Sequence, residues 1–248
     1  MQTKLRNLLS AFLAVMMVFG MFAAMPIMAG ADFAHIVDAQ LNSFKAFQKV
    51  NTFTGGQFAD VSENDWYGIN QQGVVANAYE YGLMKGTSGT AFNPTGNMTI
   101  AEAITIAVRV HSIYNGGNGE FVQGIPWYQV YVDYAVANGI IASATFSNYE
   151  TAVTRAEMAY IFARTSVPVE LVYNEMHGPA NIVNSLPDVN NATPYHDEII
   201  RLYEAGILTG SDTQGTFHPS NSITRVEAAA IISRVILPET RFSDKTFG

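Results

Sequence analysis

The sequence predicts a mainly α fold of three tandem helix–turn–helix repeats packed together, and three observations carry that prediction. The pattern Thr-x-x-Glu stands before an apolar run three times, at Thr99 and Glu102, Thr154 and Glu157, and Thr224 and Glu227. This is the spacing of a capping box, in which the Thr hydroxyl accepts from the N3 amide and the Glu reaches back to the N-cap amide. Upstream of each box, an apolar stretch at helical spacing closes on Gly82, Gly139 or Gly206, as a helix that ends in left-handed geometry requires. Upstream again stands an aromatic residue, Trp66, Trp127 or Tyr195. The recurrence of one plan along a chain marks internal repeats.

Taken in order, the first 31 residues read as a secretory signal peptide. Lys4 and Arg6 precede an apolar run from Leu8 to Met28, and Ala29-Gly30-Ala31 supplies a small-residue cleavage site. The apolar run is nearly long enough for a membrane anchor, but Pro26 and the small-residue site favour cleavage. Its removal takes away two positive charges and no negative ones. Residues 32–57 follow as an N-terminal helix and linker. Phe33, Ile36, Val37, Leu41, Phe44 and Phe47 fall near helical spacing over 32–50, and this helix is placed to pack on the repeats or to bind a partner.

The first repeat spans 58–114, the second 115–167 and the third 184–236, with 51–57, 115–119 and 168–184 as linkers. In each repeat the aromatic opens a first helix, the glycine ends it, a turn reverses the chain, and the Thr starts a second helix. One such pair has no partner for its own apolar face, so the three are expected to pack on one another. The tail, 237–248, reads as polar and loose.

Composition narrows the function. The chain has 248 residues, 13 Lys+Arg against 21 Asp+Glu, and a net charge of −8. An acidic chain is a poor partner for nucleic acid, which needs a basic face. Charged residues make up only 14% of it, against about 25% in typical soluble domains. The absence of cysteine removes disulfides, thiolate metal sites and cysteine nucleophiles. The five histidines show no His-Glu-x-x-His spacing, and no Gly-x-Ser-x-Gly, phosphate loop or dinucleotide fingerprint occurs. Asp188-Val189-Asn190-Asn191 lacks the spaced ligands of a calcium loop. No cofactor and no metal are implied, and the repeats leave no length for a separate catalytic domain.

The combined motifs resemble the S-layer homology domain. The match is fullest in the third repeat, through Asp188-Val189, Gly206-Ile207-Leu208-Thr209-Gly210, Gly215-Thr216-Phe217-His218-Pro219 and Ile223-Thr224-Arg225-Val226-Glu227. The first repeat carries Phe58-Ala59-Asp60-Val61, Gly82 to Gly86, and Phe92-Asn93-Pro94. The resemblance implies a pseudo-threefold assembly around a central helical bundle. It further implies noncovalent attachment to a secondary cell-wall polysaccharide, often through a pyruvylated amino sugar held between neighbouring units, and a location at the cell surface.

The residues make chemical sense of that role. A pyruvate ketal presents a carboxylate, and a helix N-terminus offers unpaired amides and the positive end of the helix dipole. Arg155 and Arg225 sit directly after a capping Thr and would add a charge-assisted contact. Trp66 and Trp127 are placed as stacking surfaces for a sugar or as packing anchors. Asp60 and Asp188 organise a loop or contact the ligand.

Three departures matter. Ile100 replaces the motif Arg in the first repeat. The second repeat lacks both the Asp and the Gly-x-Phe-x-Pro turn, reading Ala144-Thr145-Phe146-Ser147. Tyr195 stands where the other repeats have Trp. At most two working grooves are therefore expected. The alternative reading is a self-assembling envelope protein, or an adaptor whose repeats bind a protein partner. An enzyme acting on the wall is disfavoured.

Overall fold

The computed structural model describes residues 46–165 and 186–242. The expected signal peptide, most of the expected 32–50 helix and the expected 168–184 linker lie outside the described residues. Among the described residues six α-helices carry the fold: α1 (Val74–Glu80), α2 (Ile100–Tyr114), α3 (Gln129–Ala137), α4 (Arg155–Phe162), α5 (His196–Glu204) and α6 (Arg225–Ile236). Among the described residues there are no named strands, only three isolated bridges.

The boundaries follow from local chemistry. Full capping boxes start α2, α4 and α6 at Thr99, Thr154 and Thr224, each closed by the Glu three residues on. The helices α1, α3 and α5 each end in a Schellman motif. Leu83 N–H reaches Ala78 O and Gly82 N–H reaches Tyr79 O, with the same pattern around Gly139 and Gly206. All three glycines have φ near +70°, a region closed to most side chains (69°, 71° and 69°).

The first helix starts later than the sequence suggests. Trp66 does not open it; Val74 does. Residues 62–73 form tight turns instead, pinned by Gly68 N–H to Asp65 O and Asn70 N–H to Glu63 O. Gly68 has no substitute here, because a Cβ on it would lie 2.3 Å from Ser62 O.

The three units meet at a closed ring of backbone hydrogen bonds. Met98 N–H donates to Ile223 O (3.1 Å), Ile223 N–H to Val153 O (3.1 Å), and Val153 N–H to Met98 O (2.9 Å). Each of these residues precedes a capping Thr by one position, and all three are fully buried. A buried amide must be paired, and each unit here has its donor and acceptor satisfied by two different units.

A second cycle surrounds the first. The opening amides of α2, Ile100 and Ala101, donate to Thr151 O and Tyr149 O of the second unit. Those of α4, Arg155 and Ala156, donate to Asn221 O and Pro219 O of the third. Those of α6, Arg225 and Val226, donate to Gly96 O and Pro94 O of the first.

Helix packing crosses the repeat boundaries. The helix α3 packs on α2, α5 on α4, and α1 on α6, while α2 also contacts α4. Each first helix thus lies against the second helix of the preceding unit, and α1 on α6 joins the two ends of the series. The core runs through all units, with Leu83, Ile104, Ile140, Phe162, Leu202 and Ile232 fully buried. In α6 every residue except Glu227 is buried.

The flanks differ from the sequence reading where they are described. Residues 46–57 contain no helix, and Phe47 and Phe53 from this irregular stretch enter the core. The start of the tail is docked, not loose. A short 3-10 helix spans Pro238–Thr240, Arg241 donates to Arg234 O and Val235 O, and Phe242 N–H donates to Gly206 O.

Two outcomes are expected. Val153→Pro deletes one donor of the ring and leaves Met98 O unpaired, a loss of about 1–3 kcal/mol, read as a Tm lowered by roughly 3–10 °C. Burial also holds the His111 imidazole below its ordinary 6.5, beside the Tyr134 hydroxyl at 3.1 Å. The folded state then favours neutral His111, so this contribution is present above the unfolded value and fades as pH falls below it. Thermal melts at pH 7.5 and 5.5 should show a larger acid destabilisation in the wild type than in His111→Gln.

Candidate functional site

The site is built where the third and first units meet. The Phe92-Asn93-Pro94 turn of the first unit is held by Asp60, whose two carboxylate oxygens accept from Phe92 N–H (2.8 Å) and Asn93 N–H (2.7 Å). Asn93 has φ 57°, an uncommon conformation for a non-glycine residue, and the Asp60 bond holds it there. The Arg225 guanidinium of α6 lies over the Phe92 ring, 5.1 Å from its centroid. It donates to Phe92 O, to Lys85 O, and to Glu102 Oε1 at 3.2 Å. The other oxygen of Glu102 closes the capping box of α2 by accepting from Thr99 N–H. One carboxylate therefore caps its own helix and pairs with the arginine of the neighbouring unit.

The second and third units repeat this geometry. Asp188 accepts from Phe217 N–H and His218 N–H, with His218 at φ 57°. Arg155 lies over the Phe217 ring at 5.1 Å, donates to Phe217 O, and pairs with Glu227 Oε1 at 2.7 Å. Glu227 caps α6 with its other oxygen.

The first and second units lack this link. Ile100 brings no charge to Glu157, and the segment before Trp127 has no Asp to hold a turn. The motif arginine, the aspartate and the Phe-x-Pro sequence are missing at the same junction, although the Tyr149–Thr151 turn still takes the opening amides of α2. Their joint absence fits their being parts of one mechanical device.

These contacts correct the sequence reading of the helix starts. The amides expected to be free for a carboxylate are occupied. At α4 and α6 the first two amides donate to the neighbouring turn, and the third to the capping Thr. Arg155 and Arg225 are bridges between units before they are anything else.

A cavity of about 210 Å³ opens beside Arg225. Its wall includes Lys85, Arg109, Gln123, Trp127 and Glu102. Arg225 and Trp127 are thus brought together, with Asp60 one residue contact behind them. Arg155 and Asp188 sit at the other interface, and Trp66, 45% exposed, stands edge-on to Tyr67 away from this cavity. Trp127 is 38% exposed and packs edge-on against Tyr128 and Tyr131.

Burial lowers the Arg225 pKa, and Glu102 opposes that shift; the group remains a cation at neutral pH. Three cations against one carboxylate make this wall locally positive on an acidic chain. Arg225 spends three of its five N–H donors on the protein, so two remain for a ligand.

The sequence reading missed Lys85, Arg109 and Gln123. Lys85 lies inside the Gly82 to Gly86 motif. Arg109 stands ten residues after its capping Thr, as Arg164 and Arg234 do after theirs, a recurrence visible in the sequence. Arg109 and Arg234 each donate to the carbonyl that follows the Schellman glycine of their own unit, Leu83 O and Ile207 O. Among the described residues, no group of three or more His, Asp or Glu is placed to hold a metal ion. No described helix is long and apolar enough to cross a membrane.

If Arg225 and Glu102 act as one bridge, their effects on stability are coupled. A double-mutant cycle with Arg225→Met and Glu102→Gln should give a coupling energy of about 1–3 kcal/mol in chemical denaturation, whereas a cycle pairing Arg225→Met with Glu157→Gln should give none.

Comparison with known proteins bears on this geometry. A model of the S-layer homology domain matches residues 57–104 and 185–229, the segments that contain both Asp-held turns. The chain is 32% identical over 117 residues to the surface-layer 125 kDa protein of Lysinibacillus sphaericus, covering 44% of this chain and 10% of that protein. It is 24% identical over 182 residues to an endoglucanase of Bacillus sp. (strain KSM-635), covering 72% of this chain and 18% of that protein. The chain therefore spans less than a fifth of the length of either relative.

Proposed function

We propose that this chain attaches noncovalently to an anionic polysaccharide of a bacterial cell wall, and so acts at the cell surface without catalysis. The observation that carries the reading is the cavity where all three units meet, whose wall brings Arg225, Lys85 and Arg109 together with Trp127. A pyruvylated amino sugar fits that chemistry. Its carboxylate meets the free donors of Arg225 and the Lys85 ammonium, and its C–H face lies on the indole. A cavity of about 210 Å³ is smaller than the roughly 300–1,000 Å³ of a typical small-molecule pocket, which suits one residue of a longer chain passing over the surface.

The Arg155 interface is the second groove in this reading, and the Ile100 junction is silent. The middle unit, 115–167, is taken as a diverged copy of its neighbours, and residues 1–31 as the export signal. The match to the S-layer homology domain and the likeness to a surface-layer protein support the assignment. The likeness to an endoglucanase involves a minor part of that protein and carries no argument for hydrolysis.

A second reading, a protein partner or self-association through the repeats, is favoured by one feature. Val122 and Ile125 stand almost fully exposed beside Trp127 (93% and 104%), an apolar loop tip of the kind that docks on another protein.

The test is co-sedimentation with purified wall sacculi, with and without chemical removal of the pyruvate ketal. Lys85→Ala/Trp127→Ala is the informative variant, because neither side chain bridges the units. We expect binding to weaken at least about tenfold in the variant, in line with a lost charge-assisted contact, and to weaken likewise on ketal removal. Full binding by the variant would remove this cavity from the assignment. Failure to bind untreated sacculi, together with concentration-dependent assembly, would favour the second reading.

A further inference from the structure

The three arginines ten residues after each capping Thr share a position but not an electrostatic state. Arg164 is paired with Glu198 at 2.9 Å and is 43% exposed at its side chain. Arg109 is half-buried and lies 6.0 Å from the Tyr131 ring centroid. Arg234 is only 9% exposed and stacks over the Phe242 ring at 4.6 Å. Its two hydrogen bonds go to neutral oxygens, Ile207 O at 3.0 Å and Gln72 Oε1 at 3.5 Å, and none of the ion pairs among the described residues includes it. Burial alone lowers its pKa to about 10, still charged at neutral pH.

A buried cation without a counter-charge is costly. The negative end of α6 does little to offset the cost, because Arg241 already takes the carbonyls of Arg234 and Val235. Arg234 also borders a cavity of about 340 Å³ between α1 and α6. Neutral polar side chains, Gln72, Asn77 and Thr240, share its wall with the apolar surfaces of Val74, Ala230 and Phe242. Among the described residues no carboxylate lines it.

The cavity is separate from the one assigned to polysaccharide. Arg225 and Arg234 stand nine residues apart on one helix, about 14 Å along its axis at 1.5 Å per residue, and the two walls have no residue in common.

We propose that the cavity between α1 and α6 is a second binding site, specific for a small monocarboxylate with a short apolar body. The carboxylate takes the unused donors of Arg234, with the Asn77 side chain in the same wall as a further donor. The apolar body lies against Val74, Ala230 and the Phe242 ring. The ligand supplies the counter-charge that none of the described residues places there. Nothing in this assignment depends on wall binding.

The test is a titration of the full chain, labelled with ¹⁵N-arginine, followed through the side-chain Nε–H resonance of Arg234. Butyrate is the probe, butyramide its uncharged counterpart, and acetyl-alanyl-alanine the test for a peptide C-terminus as the source of the carboxylate. Butyrate should shift the resonance saturably and butyramide should bind at least about tenfold more weakly, the difference made by a charged partner. Asn77→Trp, which fills the mouth from half-exposed α1, should abolish the shift. Lys85→Ala/Trp127→Ala should leave it intact, so that failure of this site and failure of the polysaccharide site read differently.

Equal binding of butyramide, or an unchanged titration in Asn77→Trp, would overturn the proposal. So would the lack of a saturable shift at about 50 mM butyrate, well above a millimolar Kd. If Asn77→Trp does not fold, the comparison of butyrate with butyramide on the wild type decides alone. Saturable binding of the acetylated dipeptide would extend the site to peptide termini; its absence would confine it to free acids.

Discussion

The ring of Met98, Ile223 and Val153 is the constraint on which the rest of the fold depends. Each residue donates to one neighbour and accepts from the other, so no two units close the ring. One unit alone leaves its buried donor and acceptor unpaired, and two units still leave one of each. With each unmet buried group costing about 1–3 kcal/mol, the third unit contributes more than its own contacts. The isolated bridges at Asn97–Thr224, Thr99–Ala152 and Thr154–Ser222 lie immediately around this ring. They set the directions in which α2, α4 and α6 leave it.

From the ring outward the same cyclic logic holds. Helix starts are normally places where amides remain free, and here the neighbouring turn fills them. The capping glutamates extend the cycle into side chains. Glu102 and Glu227 each close a box on their own helix and take an arginine from the unit before. The arginine in turn rests on a Phe whose backbone an aspartate holds. At the junction of the first and second units the Arg, the Asp and the Phe-x-Pro sequence are missing together, although the turn at Tyr149 still fills the opening amides of α2. Without the arginine, the carbonyl it would bind needs no aspartate to fix it. A groove there would lack the positive charge of the arginine.

This arrangement changes what an arginine in the motif can do for a ligand. Arg225 is positioned by the protein before anything arrives, so its remaining donors are preorganised and lose little freedom on binding. Its replacement would remove both a unit-to-unit bridge and a ligand contact. Lys85 and Trp127, exposed at the rim and free of such bridges, report on binding alone.

Much of this was legible in the chain because local chemistry announces itself. Thr and Glu three apart specify a capped helix start whatever surrounds them, and Gly82, Gly139 and Gly206 mark the only residue type that ends a helix at φ near +70° without strain. The aspartates were legible as turn organisers, though not the turns they hold, since Asp60 reaches Phe92 and Asp188 reaches Phe217 across about thirty residues. The start of α1 was misread at Trp66, because the tight turn at Gly68 depends on how closely Ser62 O approaches, which no periodicity reveals. Lys85, Arg109 and Gln123 were missed because each is unremarkable in its own segment and becomes part of a site only when the three units close on one another.

By itself, then, the sequence determined the helix caps and the residue types that carry charge, since those are set by contacts within a few positions. Only the tertiary structure decided that each first helix packs on the preceding unit's second helix. It alone decided that the helix-start amides are occupied, and that Arg225 meets Trp127 while Arg155 does not. Those outcomes depend on closure of the ring, where buried amides must find partners on other units, and a linear pattern holds no record of which unit supplies them.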